Sequence, residues 1–183
     1  MSFYPSLPEK HHLVELWKRF PRGIAPLLEL HDAFLRNADS ALEIGERELI
    51  AAHVSALNGC RYCFVAHRRY AEAFGIATET FSDMEVNIAH EELRPAMTAA
   101  LMYAGKLTQT PSAIDQSDFD ALIAAGWDED AIHDIVSVTA VYGLMNRLLE
   151  GSGMKENVAA PGFTAEKARA AKYSDMLNLI TKG

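Results

Sequence analysis

Apolar residues in this chain recur at spacings of three and four through most of its length, the period of helices that bury one face. In "EKHHLVELWKRFP" the stripe is Leu13, Leu16, Trp17 and Phe20, and Pro21 ends it. "GIAPLLELHDAFLRN" repeats the pattern with Leu27, Leu28, Leu30, His31, Phe34 and Leu35. "SALEIGERELIAAHVSALNG" opens at a good N-cap, Ser40, but Gly45 interrupts it, so the main helix is expected from about Glu46 to Asn58-Gly59. A new helix is expected from Cys60 to Gly75, and "ETFSDMEVNIAHEEL" reads as a short helix or a helix and loop. Further helices are expected from Pro95 to about Leu107, from a Ser117 cap to Gly126, from an Asp128 cap to Gly151, and from Thr164 onward. No segment alternates apolar and polar residues between turn signals, so the fold class is all-α, a helical bundle. Residues 1–35 read as an N-terminal helical extension, 36–155 as the core, and 156–183 as a C-terminal helix that contacts a neighbouring subunit.

Composition narrows the classes. Of 183 residues, 49% are hydrophobic and 23% charged, with a formal net charge of -8 and no Lys/Arg block. That excludes a phosphate-binding surface, for nucleic acid or for anionic membrane, because such affinity rests on clustered cations. The first residues show no basic start followed by an apolar run, and no stretch reaches the roughly 18 apolar residues of a spanning helix. A cytoplasmic protein is expected, with no nucleic-acid or membrane partner. In that compartment a CxxC pair points to catalysis, redox sensing or metal binding before a structural cross-link.

The two cysteines of the chain lie together in "NGCRYCFVAH". On a helix opening at Cys60, the residues Cys60, Cys63 and His67 fall within an arc of roughly 60°. Cys63 and His67 are an i,i+4 pair and therefore neighbours. First-turn N–H groups, the helix dipole and an adjacent imidazole all favour a thiolate, and the second cysteine is within disulfide reach. A histidine used as a base needs a group to orient it. The preceding helix offers Glu46, Glu48 and His53, and Glu48 beside Leu49, Ile50 and Val54 is a carboxylate that needs a partner. The residues alone leave open a redox pair, a zinc site completed by His67 with His53 or Glu48, and two inert buried thiols. His11-His12 and the "HEEL" of His90-Glu91 lack a second ligand at useful spacing, and Arg68-Arg69 reads as a surface pair. Met97, Leu101, Met102 and Met145 read as core and interface, and no phosphate-cradling loop implies a nucleotide cofactor.

Glu48, Cys60, Cys63 and His67 stand in the pattern E-x11-C-x2-C-x3-H, which resembles the alkylhydroperoxidase D-like, or carboxymuconolactone decarboxylase-like, superfamily. The stretch "ERELIAAHVSALNGCRYCFVAH" carries the resemblance, and "PSAIDQSDFDALIAAGWDEDAIHDIVSVTAVYGLMNRL" is similar to the second half of its peroxidase-related branch. The resemblance implies an all-helical homo-oligomer, trimer or hexamer, with thiol peroxidase or disulfide reductase activity and neither metal nor other cofactor. It makes Cys63 the residue oxidised by the peroxide substrate, Cys60 the resolving cysteine, and His67 and Glu48 the proton relay. An external dithiol is the implied reductant. One departure stands out: well-known members carry a histidine just before the second cysteine, where this chain has Tyr62, a far weaker base. The decarboxylases of the superfamily generally lack the cysteine pair. A redox sensor, or an oligomer that binds a small molecule, is the alternative from another class.

Overall fold

A computed structural model describes residues 3–8, 11–155 and 163–181. Helices α1 (Leu13–Arg19) and α2 (Ile24–Leu35) lead into α3 (Ile44–Leu57) and α4 (Arg61–Ala73). After a small antiparallel hairpin, β1 (Phe81–Ser82) and β2 (Glu85–Val86), come α5 (Pro95–Gln109), α6 (Gln116–Ala124) and α7 (Glu129–Gly151). The tail holds α8 (Ala165–Ala170), a 3-10 turn over Tyr173–Met176, and α9 (Leu177–Thr181). The fold is all-α, as the periodicity predicts.

Helix α3 is the centre of the bundle. Gly45 through Ser55 are all buried, and the helix packs against α4, α5 and α7. Leu49, Ile50 and Val54 are fully enclosed, while Ala51 and Ala52 let neighbouring helices approach closely. A helix enclosed on all sides buries its polar residues as well, and these become the informative ones.

Four local expectations need correction. Gly45 does not delay α3, which starts at Ile44 with Glu43 as N-cap and the Glu43 N–H donating to Glu46 Oε2 at 3.0 Å. A Cβ at Gly45 would stand 2.9 Å from the Phe74 carbonyl oxygen, so the glycine lets the end of α4 pack onto the start of α3. The cap of α6 is Asp115, whose carboxylate accepts from the Ser117 N–H at 2.8 Å, not Ser117 itself. Residues 79–93 contain no α-helix; the two-residue strands turn through Met84, at φ 63°, and the "HEEL" lies in a turn before α5. The C-terminal helix breaks at Ala171, and its pieces fold back on this chain's own α1, α2 and α4. Residues 156–162 of that segment lie outside the described residues.

Candidate active site

The joint between α3 and α4 sets the thiols in place. Gly59, at φ 69°, gives α3 a left-handed end in which the Cys60 N–H donates to the Ser55 carbonyl and the Gly59 N–H to the Ala56 carbonyl. This double bond pattern ends the helix without orphan carbonyls. It also makes the next residue, Cys60, the N-cap of α4, where its Sγ accepts from the Cys63 N–H at 3.4 Å. Both cysteines are free and buried. The Cys63 thiol and N–H, bonding to the Cys60 sulfur, lower the Cys60 pKa against the opposing effect of burial. The same bond, then burial, raise Cys63. Of the two thiols, Cys60 is therefore the one that the hydrogen bond between them favours as thiolate.

One turn along, His67 Nδ1 meets Glu48 Oε2 at 2.6 Å. A carboxylate accepting from Nδ1–H leaves the Nε2 lone pair of that tautomer free. Glu48 is fully enclosed and receives two further donors on Oε1: the Tyr173 hydroxyl at 2.8 Å and the Arg36 guanidinium. Burial would raise the Glu48 carboxyl, but His67 and Arg36, through charge and hydrogen bond, hold it below its usual value. Arg36 in turn lies over the rings of Tyr173, Tyr70 and Phe74 at 4.7, 5.2 and 5.2 Å. The tail is pinned here by Asp32, whose carboxylate accepts from the Tyr173 and Ser174 N–H groups at 2.6 and 3.1 Å.

His67 and Tyr173 border a cavity of about 490 Å³. Cys63 and His67 line it; Cys60 does not. Trp17, Leu28, Met145 and Leu149 give it apolar walls, and Phe163, Tyr173 and Met176 close one side from the tail. His31 also lines it, its Nδ1 bonded to the Leu27 carbonyl at 2.7 Å and its pKa lowered by burial. Lys18 of α1 and Arg69 of α4 lie along the cavity, so Arg69 is more than the expected surface residue.

Of the candidates that helical spacing singles out, the structure brings Glu48, Cys60, Cys63 and His67 together and leaves others aside. Glu46 binds Arg94 through both oxygens, at 2.6 and 2.8 Å, and ties α3 to the start of α5. His53 bonds the Leu101 carbonyl, lies against Gly105, and is driven by burial down to a pKa of about 4. Among the described residues no group of three or more His, Cys, Asp or Glu, His53 with the thiols included, is placed to hold a metal ion. Tyr62 lines the cavity with its hydroxyl pKa pushed up to about 12 by burial, then by the nearby Cys63, so it stays protonated and is no base. Arg36, Tyr142 and Tyr173 join the site without any motif to announce them. The only sign of Arg36 and Tyr173 in the sequence is the buried carboxylate's need for donors, and Tyr142 has no such sign.

The carboxymuconolactone decarboxylase family model matches residues 25–106, a span from α2 into α5. Among solved structures, an uncharacterized peroxidase-related protein from Ralstonia eutropha, described as an alkylhydroperoxidase AhpD core, is 31% identical. The match covers 79% of this chain and 75% of that one, with a TM-score of 0.68. An uncharacterized peroxidase-related protein from a Silicibacter species shares the fold at TM-score 0.72 and 24% identity, over 80% of this chain and 76% of that one. The debrominase Bmp8, solved as a cysteine-to-alanine variant with 2,3,4-tribromopyrrole, also shares it, at TM-score 0.61 and 20% identity over 91% and 81% of the two chains. No curated protein matches the chain. Family model, fold and the identity to the Ralstonia eutropha protein agree: the chain belongs to the alkylhydroperoxidase D-like, or carboxymuconolactone decarboxylase, superfamily.

Proposed function

We propose that this protein is a thiol-dependent peroxidase that reduces organic hydroperoxides and is recycled by an external dithiol. The observation that carries the reading is that His67, bonded to the buried Glu48, lines the same cavity as Cys63, whose N–H bonds the Cys60 sulfur. A 490 Å³ apolar cavity exceeds what hydrogen peroxide needs and suits a substrate with an organic body.

The pair of thiols loses one proton to His67, whose charge the Glu48 carboxylate stabilises. The remaining proton moves onto Cys60, and the Cys63 thiolate attacks the terminal oxygen of R–O–OH. An S–O bond forms, the O–O bond breaks, and sulfur is oxidised by two electrons as the peroxide is reduced. The alkoxide takes the proton held on His67 and leaves as the alcohol. Cys60 then displaces water from the Cys63 sulfenic acid to give the disulfide, which the dithiol reduces. The homo-oligomer expected for this family belongs to the same reading, supported by exposed Leu144 and Leu148 one turn apart on α7.

The test is steady-state consumption of cumene hydroperoxide with dithiothreitol. Wild-type protein is expected to turn over repeatedly, Cys63→Ser to be inert, and Cys60→Ser to react once and leave a dimedone-trappable sulfenic acid. Unchanged turnover by Cys63→Ser sinks the mechanism. A single round of oxidation in the wild type would mark a sensor instead.

A further inference from the structure

One polar group in the cavity has no use in the relay. Tyr142, on α7, is 1% exposed and lines the same cavity as Cys63 and His67. Its ring meets the His67 ring edge-on, with centroids 4.3 Å apart. The hydroxyl comes near that of Tyr173, which donates to Glu48, and among the described residues the Tyr142 oxygen has no partner at hydrogen-bonding geometry. A buried hydroxyl left unpaired is destabilising, and such a group beside a reactive centre asks what it is kept for. Burial, then the charges of Glu48 and Cys63, push its pKa well up, so it is a donor under all working conditions.

The geometry points to Tyr142 as a catalytic residue that hydrogen-bonds the leaving oxygen of the hydroperoxide. This rests on the peroxidase reading above. As the Cys63 sulfur bonds to the terminal oxygen and the O–O bond breaks, negative charge gathers on the other oxygen. A fixed phenolic donor there stabilises the alkoxide until the His67 proton reaches it. The ring contact with His67 holds the donor and the proton source side by side.

Tyr142→Phe keeps the ring and its contact with His67 and removes only the hydroxyl. Stopped-flow oxidation of Cys63 is expected to slow roughly 100-fold, while alkylation of Cys63 by iodoacetamide, which has no leaving alkoxide, stays within about twofold. The loss should be larger for tert-butyl hydroperoxide than for peracetic acid, whose leaving carboxylate needs little help. Equal oxidation rates in variant and wild type would overturn the role of Tyr142 and leave the peroxidase reading intact. Equal slowing of oxidation and alkylation would also overturn it, by showing that the hydroxyl acts on the thiolate. A wild-type protein inert to every hydroperoxide overturns the parent reading and this one with it. If the variant folds poorly, the wild type alone decides: a shallow dependence of rate on the acidity of the leaving alcohol is expected, and a steep one overturns the proposal.

Discussion

Glu48 brings a full charge into a position closed to water, and the way that charge is held governs both stability and chemistry. Three donors satisfy it, and one of them, Arg36, is itself almost entirely buried. Replacing Glu48 with Gln would leave that guanidinium without its counter-charge, a loss of about 3–5 kcal/mol. The carboxyl sits below its usual value of 4.5, so its contribution is fully present above that pH and is lost as pH falls through the lower folded-state value. Urea unfolding at neutral pH should therefore show the full gap between wild type and Glu48→Gln, and the gap should close in acid. The residues of this site are unequally legible in the sequence. Glu48, Cys60, Cys63 and His67 lie on two consecutive helices joined by a tight turn, so helical spacing alone aligns them. Arg36, Tyr142 and Tyr173 come from other elements, and nothing local distinguishes Arg36 among 17 lysines and arginines. A buried carboxylate announces that donors exist but does not name them.

Among the elements, α3 and α4 pack as one unit, with Gly45 set against the end of α4. Alanine there would gain about 1 kcal/mol in helix propensity. Its Cβ would also press on the Phe74 backbone carbonyl at 2.9 Å, which no side-chain rotation relieves. Gly45→Ala is expected to be net destabilising by about 1–3 kcal/mol, read as a lowered Tm, with the helix content of the folded state unchanged. Existence and type of the long helices follow from periodicity, because each buries a broad apolar face. Periodicity misleads in two places. Strands of two residues each are too short to show alternation, so residues 81–86 carry no signal. The tail carries a continuous helical pattern, yet it breaks after Ala170. There the Asp32 carboxylate takes two of its N–H groups and Arg36 reaches the Ala171 carbonyl at 3.5 Å. Distant anchors outweigh local propensity at that point.

At the scale of the whole molecule, the tail is a wall of the cavity and not an appendage. Phe163, Tyr173 and Met176 lie across it, and Arg169 bonds the Ala73 carbonyl at 2.7 Å, so the segment is fastened at both α2 and α4. A chain ending at Lys155 should label at Cys63 with a bulky maleimide several times faster than the full chain, while the small reagent iodoacetamide gains much less. Equal gains for both reagents would mean that the tail acts on thiol acidity and does not limit access.

The hydrogen bonds around Glu48 also differ in how far along the chain they reach. Its partner His67 is 19 residues away, while Tyr173 is 125 residues away. Closing the shorter loop costs less entropy and forms sooner. During synthesis the α3–α4 hairpin leaves the ribosome, with Arg36 just ahead of it, long before α7 and the tail exist. The growing chain therefore has the Glu48–His67 pair and both thiols before it has the segment that shelters them, and that interval is when Cys63 is most open to stray oxidants.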